Sequence, residues 1–255
     1  MRSCLIVALG VLSFVRICGA GEFHEFRTLS GKSVKAEVLG YNGRLDEVTL
    51  KLPNRNIRKV HPGLFVAEDQ KYIKNWALLF GFKSTSKFTV KVNKKSGDFK
   101  RVETKKGGTA KVQEIRYDIV LESFNSYPLE EVSVEYKIFA RSKGSGLWHP
   151  ALASELGLSI SELKNPPPVS GAKAFREIVS GETYEVQTKY VQKIKAKGTL
   201  KADSSGKTYK NQELAIEGIW VRVLMEIDGE TIYRDFFTPN TLKGKHAWTD
   251  ESDLE

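Results

Sequence analysis

The chain reads as mostly β in two parts: a small β-barrel closed by one helix, then an antiparallel β-sandwich with long loops. Three observations carry this reading. Runs such as Val34, Ala36 and Val38 alternate with Lys35 and Glu37, and a period of two places alternate side chains on one sheet face. Turn residues stand between the runs: Ser30-Gly31, Asn42-Gly43, Pro53-Asn54 and Asp228-Gly229. One stretch changes period after His61-Pro62-Gly63, where Tyr72, Ile73, Trp76, Leu79 and Phe80 fall at the spacing of a helix face.

The first twenty residues are a different material. Arg2 precedes a twelve-residue apolar run at 4–15, and Cys18-Gly19-Ala20 supplies the small residues of a cleavage site. That is the build of a secretory signal peptide. The run is shorter than the ~18 apolar residues that span hydrocarbon, and Arg16 interrupts it. The expectation is an exported protein, periplasmic or extracellular, with no transmembrane segment after cleavage; a lipoprotein or an uncleaved anchor is the alternative. Both cysteines, Cys4 and Cys18, lie in this leader. The mature chain therefore has no disulfide or thiolate ligand, and its core alone must hold it. Losing Arg2 and Arg16 takes the formal charge from +9 to +7. An apolar content of 40% with 28% charged residues is ordinary for a globular protein and argues against wholesale disorder.

The first domain spans residues 21–80. Its strand runs are Phe26-Arg27-Thr28, residues 31–38, residues 47–52 and Ile57-Arg58-Lys59-Val60, followed by the helix beginning at Ala67. Glu68 and Asp69 stand in the first turn of that helix, where they complement its dipole. Phe26-Arg27-Thr28, Gly31-Lys32, Val34-Lys35-Ala36-Glu37, Val48-Thr49-Leu50 and Glu68-Asp69-Gln70-Lys71-Tyr72-Ile73 together resemble the Sla-one homology domain, a small Src-homology-3-like barrel found in exported bacterial proteins and first described in a fungal endocytic adaptor. The resemblance covers about a fifth of the chain and implies a protein or peptide ligand, adaptor work or self-association. Two positions depart from the family pattern. Val66 stands where a capping serine is usual, and Arg58-Lys59 is more basic. No nucleic-acid partner is expected of an exported chain.

The second domain spans residues 84–248. Ile115, Tyr117, Ile119 and Leu121 alternate with Arg116, Asp118, Val120 and Glu122, and Val132, Val134, Tyr136 and Ile138 alternate with Ser133, Glu135 and Lys137; Ile219, Val221, Val223, Met225 and Ile227 form another inward face. Asp228-Gly229 marks a two-residue hairpin, with a returning strand at 232–237. Residues 183–197 form a further strand or pair. The pattern resembles immunoglobulin-like and fibronectin-like sandwiches. Three stretches interrupt it. Residues 93–109 are Lys- and Gly-rich and read as a mobile loop or long hairpin tip. Residues 142–171 are an insertion carrying Trp148 and, at Ser159 and Glu162, a capping box. Residues 201–212 are a polar loop, and an acidic tail follows at 249–255.

Chemistry is sparse. His24, His61, His149 and His246 are not spaced as metal ligands, and neither a nucleophile elbow nor a phosphate loop occurs. No cofactor, metal or catalytic residue is expected, and an enzyme of unknown class is the minor alternative. The main expectation is a non-enzymatic binding or adaptor protein of the cell envelope. In the first domain Lys51, Arg55, Arg58 and Lys59 are the candidate binding residues. In the second, ten basic against two acidic residues lie between Lys83 and Lys111, and Lys94, Lys95, Lys100 and Arg101 are the candidate binding residues within that run. Such a field attracts anionic polymers, which makes an anionic envelope glycan the alternative partner and a structural envelope role the alternative function. Trp148, on a Pro/Gly-bounded insertion, is the aromatic candidate anchor.

Overall fold

Strands β1 (His24–Arg27), β2 (Ser33–Asn42), β3 (Glu47–Lys51) and β4 (Ile57–Val60) form an antiparallel meander in sequence order. The structure is a computed structural model that describes residues 22–103, 109–144, 147–197 and 211–248. The leader expected at 1–20, nearly all of the loop expected at 201–212 and the tail expected at 249–255 therefore lie outside the described residues. The chain divides into two compact units between Ala77 and Leu78.

In the first unit the alternation of β2 and β3 turns Ala36, Val38, Val48 and Leu50 inward, where they pack with Phe26, Phe65, Ile73 and Trp76. Ile73 and Trp76 come from helix α1 (Ala67–Lys83), whose residues up to Ala77 belong to this unit. Val66 opens the helix through its carbonyl, which accepts the amides of Asp69 and Gln70.

The closed barrel expected here is not formed. The four strands make an open sheet, with β1 at one end and β4 at the other. The helix and Phe65 cover the apolar face that strand closure would otherwise bury. The outer side of β1 is occupied by the segment before the helix: Val66 N donates to Arg27 O, Leu29 N donates to Leu64 O, and Thr28 bridges Phe65. Among the described residues β4 pairs with β3 alone.

The second unit contains β5 (Phe88–Glu103), β6 (Thr109–Ser123), β7 (Leu129–Lys143), β8 (Val169–Ile178), β9 (Thr183–Gln187), β10 (Val191–Lys197), β11 (Gln212–Ile227) and β12 (Glu230–Thr238). The expected two-sheet sandwich is replaced by one partly curled eight-stranded sheet in the order β5-β6-β10-β11-β7-β8, with β9 added to β6 and β12 to β11. Two long strands explain the curl. One edge of β6 is shared by β10 at residues 109–115 and β9 at 118–122. One edge of β11 is shared by β10 at 212–214 and β12 at 219–227. β10 thus joins the two halves at one end, while β9 and β12 let them diverge at the other. The main core lies between the halves and draws Ile115, Tyr117, Ile119 and Leu121 together with Val132, Val134, Tyr136, Ile138, Ile219, Val221, Val223 and Met225. The hairpin expected at Asp228-Gly229 is present: both residues have positive φ (52° and 79°), and Ile227 pairs with Glu230.

The basic stretch expected as a mobile loop or a long hairpin tip takes the second form: it is a strand for much of its length, paired antiparallel with β6. β5 runs through Glu103 and pairs with β6 across a bulge between Ser96 and Phe99. Nearly all of its side chains beyond Asn93 are exposed. A strand end solvated on both faces has the composition of a loop, which is why periodicity could not find it.

The insertion after β7 forms two short helices, α2 (Pro150–Glu155) and α3 (Ile160–Lys164). The expected capping box is formed. Ser159 Oγ accepts from Glu162 N at 3.0 Å, and Glu162 Oε2 accepts from Ser159 N at 2.7 Å. These helices bring Leu152, Ala153 and Leu163 onto Val112, Ile194 and Leu214, a second core beside the first.

Candidate binding surfaces

The four basic residues singled out in the first unit do not converge. Lys51 donates to Glu37 Oε2 at 3.0 Å, and Lys59 lies 3.2 Å from Glu47. Each is a cross-strand pair on the outward face of the sheet. Arg58 pairs in register with buried Leu50, so by strand alternation it lies on the opposite face from Lys51 and Lys59. Arg55 holds the turn between β3 and β4 at φ 66°, its amide bonded to Leu52 O. Arg55 and Arg58 have no acidic partner among the described residues. Both adjoin the outer edge of β4, where Ile57 is 60% exposed.

Histidine and aspartate meet in the same unit without any motif to announce them. Asp69, 3% exposed, contacts His24 Nε2 at 2.7 Å through Oδ1 and accepts Arg27 N at 2.6 Å through Oδ2. His24 stacks on Tyr72, 3.8 Å between ring centroids. Both Asp69 oxygens are used to hold β1, so the pair positions a strand. The one signal in the sequence was the acid in the first helical turn.

In the second unit Lys100 lies 3.6 Å from Glu114, and Arg101 is 2.6 Å from Glu103. Lys94 and Lys95 make no ion pair among the described residues. Burial and the nearby Lys193 ammonium hold Lys94 below the usual lysine range, so this end of the sheet brings two cations near one another. Trp148 is 2% exposed, its Nε1 donates to Ser142 Oγ at 3.1 Å, and its ring belongs to the core under α2 and α3. The indole therefore anchors the insertion to the sheet and offers no face to a ligand.

A cleft of about 390 Å³ that sequence reasoning missed opens along β7 and β8. Glu135, Tyr136, Lys137, Ser170, Gly171, Ala172, Lys189 and Trp248 line it. Tyr136 passes beneath Gly171, and its hydroxyl accepts Lys189 N at 2.9 Å. A Cβ on Gly171 would stand 2.4 Å from that hydroxyl, so glycine is what lets the tyrosine through. Lys137 and Arg222 place their cationic groups 4.8 Å and 4.5 Å from the centroid of the Trp248 ring. Arg222 pairs in register with Glu135 but directs its guanidinium to Asp235, at 2.9 and 3.2 Å. Burial pushes Tyr117, in the core, up to about 12.

Among the described residues no group of three His, Cys, Asp or Glu could hold a metal ion, and no helix is long and apolar enough to cross a membrane. No protein-family profile matches the chain, and no curated protein matches it.

Proposed function

We propose that the chain is an exported, non-enzymatic binding protein of the cell envelope whose small sheet takes an extended acidic protein segment along β4. The observation that carries this reading is that, among the described residues, β4 has no strand on its outer edge. A strand without an outer neighbour presents main-chain donors and acceptors to an incoming strand. Arg55 and Arg58 give that edge a sign. Two copies of it would bring like charges together, so the same cations that oppose self-pairing favour an acidic segment. The resemblance of residues 23–77 to the Sla-one homology domain supports a protein ligand, and the leader at 1–20 supports export.

The test is titration of the chain with short extended peptides that alternate valine with either glutamate or lysine, read by amide exchange at Ile57–Val60. The glutamate peptide should slow exchange there, and Arg58→Glu should abolish the effect while the circular dichroism spectrum is unchanged. Equal response to both peptides, or an indifferent Arg58→Glu variant, would remove the reading.

A second reading, contact with an anionic envelope glycan through β5 and β10, is favoured by the proximity of Lys94 and Lys193. Retention on isolated envelope material that is lost on adding salt and in a Lys94→Ala, Lys193→Ala double variant supports it. Retention by that variant at high salt excludes it.

A further inference from the structure

We propose that the opening between β5 and β12 is a slot for one extended protein segment, headed by an acidic residue, that enters antiparallel to both strands and joins the two halves of the sheet a second time. The slot lies within the second unit and needs neither the β4 edge nor Lys94 and Lys193.

Both strands are edges. Among the described residues β5 pairs with β6 alone and β12 with β11 alone. The antiparallel steps from β5 through β6, β10 and β11 to β12 leave the first strand and the last running in the same sense. Arg234 ties them at one end: it stands on β12, and its Nη1 donates to Phe88 O of β5 at 3.1 Å. Further along both strands that tie is gone. A cavity of about 550 Å³ opens there, with Val90 and Val92 on one side and Asp235, Phe236 and Thr238 on the other.

The lining selects the occupant. Its floor is apolar: Val90, Val92 and Phe236 pack against the main core yet are only partly buried. Its walls are strand edges, whose amides and carbonyls an acyl chain leaves without partners and a further strand satisfies. Two walls of the same sense also select a direction. A strand running against both meets each in the antiparallel pattern, the more stable of the two ladders per residue. Its alternate side chains turn toward Val90, Val92 and Phe236, so apolar residues fit at every second position.

Charge then fixes the leading residue. Asp235 is already held by Arg222. Lys243, in the turn after β12, lines the same cavity and makes no ion pair among the described residues. A strand antiparallel to β12 begins at that end, so its first residue is the one that meets Lys243, and an acid there is complementary. β10 joins the two halves through β6 and β11. The bound segment joins them through their other edges, β5 and β12.

The experiment uses the full chain and follows backbone amide exchange during titration with three probes: a peptide of aspartate followed by alternating valine and threonine, the same peptide with proline for each threonine, and decanoate. With the first peptide at ten times its dissociation constant, exchange should slow about tenfold in β5 around Val90–Val92 and in β12 around Asp235–Phe237 together. The proline peptide lacks the ladder donors and should protect neither strand. Val92→Lys puts an ammonium on the floor and should abolish the protection with the circular dichroism spectrum unchanged. Lys243→Glu, at an exposed position, tests the slot even if Val92→Lys fails to fold: it should weaken the response to the aspartate-headed peptide and strengthen that to a lysine-headed one. Arg58→Glu should respond as the parent does, which separates the slot from the β4 edge. Protection of one strand without the other, equal protection by the proline peptide, or protection by decanoate alone would overturn the proposal. Protection confined to Ile57–Val60 would overturn it and leave the β4 reading standing. An indifferent Lys243→Glu variant would overturn the acidic leading residue.

Discussion

Asp69 and His24 meet at 2.7 Å and fasten the first turn of α1 to β1, with the second Asp69 oxygen on the Arg27 amide at 2.6 Å. The carboxylate is nearly fully buried, so removing it leaves that amide without its acceptor. Asp69→Ala should destabilise the first unit by about 2–3 kcal/mol. Urea denaturation read through Trp76 should show it, and His24→Ala, which spares the amide bond, should cost less. Equal costs would mean that the histidine, not the amide, is what the aspartate holds.

Arg234 plays a comparable part in the second unit. Its Nη1 donates to Phe82 O at 2.5 Å and Phe88 O at 3.1 Å, and burial lowers its pKa. Arg234→Met keeps the stem and leaves two carbonyls short of a donor, a loss of about 2 kcal/mol. Thermal unfolding of the two variants Arg234→Met and Arg234→Lys should rank methionine below lysine, because an ammonium can still serve one carbonyl.

Gly218 occupies the bulge where β11 slips against β7. A Cβ there would stand 2.3 Å from Thr238 O, a main-chain atom that cannot swing aside. Gly218→Ala should cost about 1–3 kcal/mol through the displaced backbone, whereas Gly181→Ala, whose Cβ meets nothing within 4 Å, should pay only for its positive φ. A calorimetric comparison of the two variants checks the order.

Acid should weaken the fold through two surface carboxylates. The hydrogen bond from Lys91 lowers the pKa of Glu122, and the backbone hydrogen bond from Ser159 lowers that of Glu162. Each group binds its proton less readily folded than unfolded. Its contribution is therefore complete above the ordinary glutamate range and is lost as pH falls through the folded value. Denaturation midpoints measured between about pH 6 and pH 3 should fall, and a Glu122→Gln, Glu162→Gln double variant should flatten that fall.

Much of this architecture could be read from the residues. The alternation at Val132–Ile138 and Ile219–Met225, the Asp228-Gly229 turn and the Ser159–Glu162 cap each depend on neighbours in sequence, and local physics fixed them. Three things did not depend on neighbours. Whether four short strands close into a barrel is decided by what covers their apolar face, and Phe65 and α1 cover it here. Whether Lys94–Arg101 forms a loop or a strand is decided by β6, which pairs with it from beyond the turn. The Tyr136–Lys189 bond and the cleft it shapes join residues 53 apart. Of the proposed binding residues, Arg55 and Arg58 adjoin the β4 edge. The Trp148 signal was real as an anchor, but for the insertion itself.

The path of β11 through the sheet also bears on how the second unit assembles. β5 with β6, and β7 with β8, pair across connections made early in the chain, but β11 follows its partners β7 and β10 and lies between them. Until residues 212–227 arrive, neither half can close over the other, and the apolar faces of β6 and β7 stay open. Folding of this unit should therefore stall with its halves unjoined in any chain cut before Gln212, leaving sticky half-sheets in place of a smaller stable domain.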